Sequence, residues 1–444
     1  MTLRSNTPKD KVRELQRGLY MAAKRSRTRR FHALYDRIYR GDVLMEAWQR
    51  VRSKGGAAGV DGETLSMIEQ QGVTGFVEEL GEHLRSGKYR PQPVRRRYIK
   101  KRDGKLRPLG IPAVRDRVVQ MAAKIVIEPI FEADFKGCSY GFRPKRSATQ
   151  ALETIRLVGG RRHWFVVDGD IKSFFDNIDR EILMERVSRR ISDRRVLKLV
   201  WQWLKAGVME EGEVRRPVSG TPQGGVISPL LANVYLDYLD SVWEQQCSQI
   251  GVLVRYADDF VILCRTGSQA NEAMRRLKMI FDRLRLTLHP EKTRIVELGL
   301  GKDGFVFLGC YLRVMRSHFK DRRYLFRWPS VGAMKQVRMR VKELTNRRRR
   351  SGMKDIREVI RDLNPVLRGW GNYFRTGNAS IKFQQVDRYV RQRLLNLIAA
   401  RRGHRKNNAG SRLWRREWPH SRFEQLGLHR LLGTIRYPGS VHAT

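Results

Sequence analysis

The chain has 444 residues, of which 41% are hydrophobic, so it is long enough for two or three domains with sizeable cores. Lys and Arg number 90 against 45 Asp and Glu, which gives a net charge of +45. A charge of that size is self-repulsive, and binding a polyanion relieves the repulsion, so nucleic acid is the expected partner. The sequence has no apolar stretch near the roughly 18–20 residues of a membrane-spanning helix and no apolar core of a signal peptide, so no membrane partner is expected.

The four cysteines are widely separated and form no CxxC pair: Cys138, Cys247, Cys264 and Cys310. This spacing excludes an ordinary zinc finger and a small disulfide scaffold. It fits a reducing cytosol, so we expect a cytoplasmic location.

Tyr89 to Pro112 is predicted to form two basic strands joined by an Asp103-Gly104 hairpin turn. Lys and Arg at this density suit binding of a triphosphate or a template backbone. An edge strand protected by positive charge is the alternative interpretation. A helix with an apolar stripe is predicted from Arg115 to Ile130, ending near Pro129, and a loop over residues 137–144 follows it.

The segment from Trp164 predicts a buried strand that ends at Asp170. Asp168, Asp176 and Asp179 lie in the same segment, so the residues alone leave the choice among these carboxylates open. N-capping of a helix explains at least one of the last two. Further along, a glycine-rich loop containing Gln223 leads into a helix, and its glycines allow the backbone to approach a substrate closely.

Two apolar runs of strand length flank the adjacent carboxylates Asp258 and Asp259, which predicts a β-hairpin with the pair at its tip. Adjacent carboxylates repel each other unless a cation is present, and Mg²⁺ prefers carboxylate oxygen. A polar hairpin turn without a metal site is the alternative interpretation. Together with a carboxylate at a strand end, the pair suits two Mg²⁺ ions about 4 Å apart. That arrangement performs nucleotidyl transfer.

A change of composition near Trp328-Pro329 indicates a domain boundary. Helical periodicity follows, with the basic run Arg347–Arg350 and then residues 363–375. The last 45 or so residues are basic and contain Trp414, Trp418 and Phe423. Aromatic residues among arginines stack on bases, or they form a small local core, and the sequence leaves both interpretations open.

Six blocks, in this order, resemble the group II intron reverse transcriptases, also called intron-encoded maturases. The blocks are Lys101–Pro112, Cys138–Pro144, Asp170–Ile178, Gly220–Pro229, Tyr256-Ala-Asp-Asp259 and Leu288–Thr293, and residues 363–375 resemble the maturase, or thumb, signature. The resemblance implies an α+β right-hand polymerase with an α-helical thumb. The implied domains are an N-terminal extension and fingers (1–165), a catalytic palm (166–328), a helical thumb or maturase domain (329–395) and a basic nucleic-acid-binding segment (396–444).

The resemblance also implies site residues. It selects Asp170, with Asp258 and Asp259, as the catalytic carboxylates that bind two Mg²⁺ ions. For the incoming dNTP it implies Lys101, Arg107, Phe175, Gln223 and Lys292, with Phe175 excluding a 2′-hydroxyl and Lys292 in the block that supplies a proton to pyrophosphate. Together with the basic composition it implies contacts to nucleic acid by Arg143, Arg347, Arg348, Arg349, Arg350, Arg368, Trp370 and Arg375.

The expected function is RNA-directed DNA polymerisation by a protein that binds its own group II intron RNA, assists its splicing and copies it during retrotransposition. Expected partners are that RNA, an RNA template with a DNA or RNA primer, and target DNA. Because no cysteine follows residue 310, the zinc-dependent endonuclease of longer members is not expected, as in the IIC-like type. The alternatives are a free-standing bacterial reverse transcriptase in defence or repair, and a non-catalytic RNA-binding splicing factor.

Overall fold

The computed structural model describes residues 7–100, 104, 106–210, 213–215, 224–316, 323–346, 355–401 and 416–437. The helices are α1 (Pro8–Arg25), α2 (Tyr35–Ile38), α3 (Gly41–Lys54), α4 (Leu65–Gln71), α5 (Val73–Arg85), α6 (Val114–Glu132), α7 (Ala148–Gly159), α8 (Phe174–Asn177), α9 (Arg180–Ser188), α10 (Arg194–Lys205), α11 (Ser228–Val242), α12 (Gly267–Arg283), α13 (Val331–Leu344), α14 (Ile356–Phe374), α15 (Ser380–Arg401) and α16 (His420–Gln425). The strands are β1 (Val94–Lys100), β2 (Leu106–Ile111), β3 (Phe165–Gly169), β4 (Val208–Glu210), β5 (Glu213–Arg215), β6 (Val252–Tyr256), β7 (Asp259–Cys264), β8 (Arg294–Glu297), β9 (Phe305–Phe307), β10 (Cys310–Arg316) and β11 (Arg323–Pro329).

The chain divides into two compact units that interleave in sequence. The first, unit 1, comprises Met1–Ser147, Gly169–Val261 and Asn271–Arg294; the second, unit 2, comprises Ala148–Asp168, Ile262–Ala270 and Ile295–Thr444. The predicted α+β class is confirmed, because helices combine with sheets whose strands pair mainly antiparallel. Within the described part of the chain, no helix is both long and apolar enough to cross a membrane.

Helix α6 is the central helix of the N-terminal part of unit 1, where α1 and α3 pack against it. Buried residues occur around its whole circumference, as expected of a helix enclosed by other helices. The predicted helix from Arg115 to Ile130 is confirmed, and it continues slightly past the predicted end, to Glu132. Pro129 has no N–H to donate to the carbonyl of Ile125, and Gln16 Nε2 donates to that oxygen instead, at 3.0 Å.

The predicted basic hairpin is present as β1 and β2, which pair antiparallel from Arg95 opposite Ile111 to Lys100 opposite Leu106. Gly104 in the connection has φ +84°, a conformation that favours glycine. The sheet continues through β4 and β5 in the order β2-β1-β4-β5, with β1 and β4 parallel.

A second sheet has the strand order β6-β7-β3-β8, so the strand preceding Asp170 is the neighbour of the strand that begins at Asp259. The inner residues of β3 and β7 are buried and apolar. This order places both predicted carboxylate-bearing segments on adjacent strands. In unit 2, strands β9, β10 and β11 form an antiparallel sheet in the order β11-β10-β9, and α13 packs against α14 and α15.

Candidate active site

The tight hairpin between β6 and β7 carries the aspartate pair at its tip, as predicted. Asp258 is half-buried and Asp259 is exposed, while the five residues that follow Asp259 in β7 are buried. Ala257 has φ +59°, in the left-handed region. That conformation costs a residue with a Cβ about 1–2 kcal/mol, so contacts around the turn must hold it in place.

A buried arginine supplies those contacts. Arg255 is fully buried, and its Nη1 donates to the carbonyl of Ala257 at 2.9 Å and to Asn233 Oδ1 at 3.1 Å. Its Nε donates to Asp240 Oδ1 at 2.8 Å, its Nη2 donates to the other oxygen of that carboxylate, and Nη2 also donates to Ser139 Oγ at 2.8 Å. We call Arg255, Asp240, Asn233 and Ser139 the Arg255 network. It ties the strained residue of the turn to α11 and to the loop 137–144.

The charge of Arg255 is balanced inside unit 1. Burial by itself lowers the pKa of Arg255, but the ion pair with Asp240 raises it above the ordinary value, so the guanidinium stays protonated. A buried ion pair with all its donors satisfied stabilises one geometry, since any displacement leaves a buried charge unpaired.

The loop over residues 137–144 lies directly against the turn. The N–H of Tyr140 donates to the carbonyl of Arg255 at 2.9 Å, and the N–H of Arg255 donates to the carbonyl of Cys138 at 2.8 Å. A Cβ added to Gly141 would lie 2.2 Å from the backbone nitrogen of Ala257. Glycine at position 141 is therefore required for this close approach of two backbone segments.

Asp170 follows the last residue of β3 and is held by the block that contains Lys292. The N–H of His289 donates to the Asp170 carbonyl at 2.8 Å, and Lys292 Nζ lies 2.7 Å from Asp170 Oδ2. The side chain of Asp170 is 25% exposed and that of Lys292 is 61% exposed, so the ion pair faces solvent. Lys292 is thus next to the predicted carboxylate, and its ammonium is the cation that this carboxylate binds here.

The two carboxylate-bearing segments meet at Gly169 and Phe260. A Cβ added to Gly169 would lie 2.2 Å from Cζ of the Phe260 ring. Asp170 follows one of these contacting residues and Asp259 precedes the other. However, the described residues contain no group of three or more His, Cys, Asp or Glu side chains arranged to hold a metal ion, so convergence of the three aspartates stays a prediction.

Phe175 lies in the short helix α8 and is only partly buried. Its ring contacts the ring of Phe174 edge-on at 5.3 Å, and Phe174 in turn is buried against Tyr235, 6.4 Å between ring centroids. Phe174 is therefore the core residue of this pair. The Phe175 ring packs on the ring of Phe174 and remains partly accessible. A ring that packs under a sugar requires such access.

Arg143 is a correction to the predicted nucleic-acid contacts. It is 8% exposed; its Nη2 lies 2.6 Å from Glu132 Oε1 and its Nη1 donates to the carbonyl of Ser139 at 2.8 Å. A guanidinium buried with these partners stabilises the loop 137–144 and does not reach nucleic acid.

Three predicted residues lie on or at the end of α14 in unit 2. Arg368 is exposed, and Arg375 is half-buried at the helix end. Trp370 packs its ring 4.9 Å from Phe374 and 5.5 Å from Phe383. Trp370 is therefore half-buried against two other aromatic rings of unit 2, and this packing does not support stacking on bases.

Other predicted residues lie outside the described part of the chain: Lys101, Gln223, Arg347, Arg348, Arg349 and Arg350. The backbone of Arg107 is in β2, opposite Ile99, but its side chain is outside the description. Their roles stay predictions.

Sequence reasoning missed the Arg255 network. The signal was present, because Arg255 interrupts an otherwise apolar strand immediately before the turn. A charge in a buried strand requires a partner. Asp240 and Asn233 precede Arg255 by 15 and 22 residues. Spacing alone does not identify them as its partners, since the strand and the helix meet only in the folded chain.

Comparisons with known proteins agree with the blocks. The family described as "Reverse transcriptase (RNA-dependent DNA polymerase)" matches residues 99–312, and "Group II intron, maturase-specific domain" matches residues 334–418. Protein YkfC of Escherichia coli (strain K12) is 37% identical over 360 residues, covering 72% of this chain and 93% of YkfC. The group II intron-encoded protein LtrA of Lactococcus lactis subsp. cremoris is 42% identical over 352 residues, covering 65% of this chain and 57% of LtrA.

The matched region thus covers nearly all of YkfC and little more than half of LtrA. The maturase match also extends past residue 395, where the predicted thumb domain ends. The right-hand polymerase class and the reverse transcriptase assignment are confirmed by the first match. The chain belongs to the group II intron-encoded reverse transcriptases, with a reverse transcriptase domain followed by a maturase-specific domain.

Proposed function

We propose that this chain is an RNA-directed DNA polymerase that binds the group II intron RNA encoding it, assists the folding and splicing of that RNA, and copies it into DNA during retrotransposition. The observation that carries the catalytic part is the contact of Gly169 with Phe260, which brings the segments bearing Asp170 and Asp259 together. The Arg255 network supports the same assignment, because it stabilises the strained turn that presents Asp258 and Asp259.

Reverse transcriptases of this family use divalent metal ions, and we assign two Mg²⁺ ions to Asp170, Asp258 and Asp259. These residues offer the hard oxygen ligands that Mg²⁺ prefers, and the Asp170 carboxylate already binds one cationic group. The chemistry that bound Mg²⁺ supplies is activation of the primer 3′-hydroxyl and stabilisation of the leaving pyrophosphate. Lys292 lies within hydrogen-bonding distance of this carboxylate, where a proton donor to pyrophosphate is needed.

The substrate-binding residues are assigned from the sequence blocks. Phe175 presents a supported, accessible ring, and we assign it to exclusion of the ribose 2′-hydroxyl. Lys101 and Arg107 bind the triphosphate, and Gln223 contacts the incoming nucleotide and the template. Arginine and lysine suit phosphate because they supply charged donors.

The intron-binding part of the proposal rests on the maturase match and on charge. LtrA is by its name a group II intron-encoded protein, and the basic residues Arg347–Arg350, Arg368 and Arg375 are the assigned RNA contacts of this chain. Target DNA is the second polyanion. The four cysteines are free thiols, which supports a reducing cytoplasm.

Sequencing the RNA that co-purifies with the protein from its host tests this role. One dominant structured RNA that contains or flanks the reading frame is the expected result. A heterogeneous RNA population would contradict the maturase role and favour a free-standing reverse transcriptase.

The catalytic assignment is tested by Asp259→Ala in primer extension on an RNA template. We expect polymerisation to fall about a thousandfold, because loss of one carboxylate removes several kcal/mol of metal-dependent stabilisation, while RNA binding persists. Asp282→Ala is the control, since Asp282 is an exposed carboxylate of the same unit outside the site. Loss of both activities in Asp259→Ala, or retained polymerisation, would contradict the assignment.

A further inference from the structure

Unit 2 contains a cavity of about 410 Å³ that is remote in sequence from the catalytic blocks. Helix α15 lines it with Asp387, Arg388 and Arg391, and the segment 416–437 lines it with His420 and Arg430. Three arginines around one cavity create a strongly positive local field unless acidic groups balance it.

The acidic residue of the cavity does not balance that field fully. The carboxylate of Asp387 is 5% exposed and accepts hydrogen bonds from the N–H groups of Leu431 and Leu432, at 3.0 and 2.9 Å. Its role is to attach the C-terminal segment to α15. Arg430 pairs with Glu424 at 3.3 Å.

Arg388 and Arg391 differ from Arg430. Over the described ranges of the chain, neither guanidinium has a hydrogen-bond or ion-pair partner. Two arginines therefore line the cavity with unused donors, and a ligand with several acceptor oxygens matches them.

His420 is the second unexplained group of the cavity. Both of its ring nitrogens are buried and have no hydrogen-bond partner among the residues that the structure describes. Burial lowers the pKa of His420, Asp387 raises it, and Arg391 and Arg430 lower it further. A buried polar group without a partner costs about 1–3 kcal/mol, and a ligand in the cavity that accepts a hydrogen bond from the ring removes that cost.

We propose that this cavity binds a backbone phosphate of a polynucleotide through Arg388, Arg391, Arg430 and His420. A phosphate diester offers charged acceptor oxygens to arginine forks and to an imidazole N–H. A polynucleotide is favoured over a free anion, because the net charge of +45 concentrates polyanions at the surface. The inference rests on the proposed function in one respect, since the RNA used to test it is the intron RNA.

The first experiment measures the affinity of the full chain for a labelled transcript that contains the reading frame and its flanks, at several salt concentrations. We expect the double variant Arg388→Gln/Arg391→Gln to bind at least about tenfold more weakly. The slope of log affinity against log salt concentration should also become less steep by about 1. The matched control is Arg357→Gln/Arg361→Gln, which removes the same charge from exposed positions on α14 of the same unit.

Equal weakening in the two double variants, or unchanged affinity in the first, would overturn the cavity as a phosphate site. Failure of the unmodified chain to bind the transcript would instead count against the proposed function. The two failures are therefore distinguishable.

A second experiment observes the site directly through the ring signals of His420 in the full chain labelled on histidine, assigned with His420→Gln. A short RNA oligonucleotide is expected to shift the His420 signals, and inorganic phosphate is expected to compete only at much higher concentration. A shift of the His420 signals with inorganic phosphate but not with the oligonucleotide would mean a free-anion site and would overturn the polynucleotide assignment. No shift with either ligand would overturn the proposal altogether.

Discussion

Arg255 carries its charge into the interior of unit 1, and its position explains how a turn with a left-handed alanine persists. One guanidinium group binds the carbonyl of Ala257, a carboxylate of α11 and the hydroxyl of Ser139. Each partner limits the orientation of the others, because a rotation that keeps one bond breaks another. We therefore infer that Arg255 is a positioning residue for Asp258 and Asp259.

Substitution Arg255→Met tests that role. It leaves Asp240 buried without its partner, so the free energy of unfolding should fall by about 3–5 kcal/mol, and kcat for primer extension should fall with it. The double variant Arg255→Met/Asp240→Asn removes the unpaired charge and should recover much of the stability, measured by urea denaturation. Its kcat should stay low, because the bond to the turn is still absent; full recovery of kcat would show that Arg255 acts only on stability.

Asp237, one helical turn before Asp240, is a carboxyl group whose ionisation opposes folding. Burial raises its pKa to about 7, and its Oδ1 has no hydrogen-bond partner among the described residues. Between the ordinary pKa of an aspartate and pH 7 the folded chain holds a proton that the unfolded chain has lost. The contribution of this group to the free energy of unfolding therefore decreases as pH rises through that window.

Asp237→Asn should raise the free energy of unfolding at pH 8 by at least about 1 kcal/mol, the equivalent of one pKa unit. At pH 4 the gain should shrink, because the aspartate is then protonated in the folded state. Denaturant titration at both pH values measures the difference. A gain that is the same at pH 4 and pH 8 would mean that the side chain does not titrate as inferred.

At the level of elements, the loop 137–144 and the catalytic turn behave as one structural feature. They exchange two backbone hydrogen bonds, and Gly141 leaves no room for a side chain between them. The loop thus determines where the turn lies, although it contributes no catalytic carboxylate.

Gly141→Ala should therefore displace the turn, lowering stability by about 1–3 kcal/mol, as overpacking does, and reducing polymerisation more than RNA binding. Gly137→Ala in the same loop is the matched control, since a Cβ at residue 137 meets nothing within 4 Å. Thermal denaturation and primer extension of both variants are the measurements. Equal behaviour of the two variants would contradict the close packing of loop and turn.

At the level of the whole molecule, the net charge of +45 dominates association with RNA. Each phosphate contact releases condensed counterions, so affinity should fall about 10³-fold or more between 50 and 200 mM salt if the protein makes about six or more such contacts. Fluorescence anisotropy with a labelled intron transcript measures this dependence.

An uncharged peptide nucleic acid of matching sequence is the control and should bind weakly at every salt concentration. Salt-insensitive binding of the transcript would contradict the electrostatic account. A strong signal with the uncharged analogue would do the same.

The sequence by itself determined the features that depend on neighbouring residues and on composition. The hairpin at Asp258-Asp259 follows from apolar runs around a polar pair, and the N-cap at Asp179 follows from helix chemistry. The order of the blocks identified the family, and the charge indicated the class of partner. Local reasoning could not identify the donor to the Ile125 carbonyl, which Pro129 leaves without a helix partner, because that donor is Gln16, 109 residues earlier in the chain.

Only the tertiary structure decided which polar groups meet. Ser139 and Arg255 are 116 residues apart, and Asp170 and Lys292 are 122 apart, so no spacing rule connects them. Other tertiary contacts bury Arg143 beside Glu132 and place His420 in a cavity with three arginines. The physical reason is that a buried charge is stable only beside its partner, and folding alone determines which distant side chain that partner is.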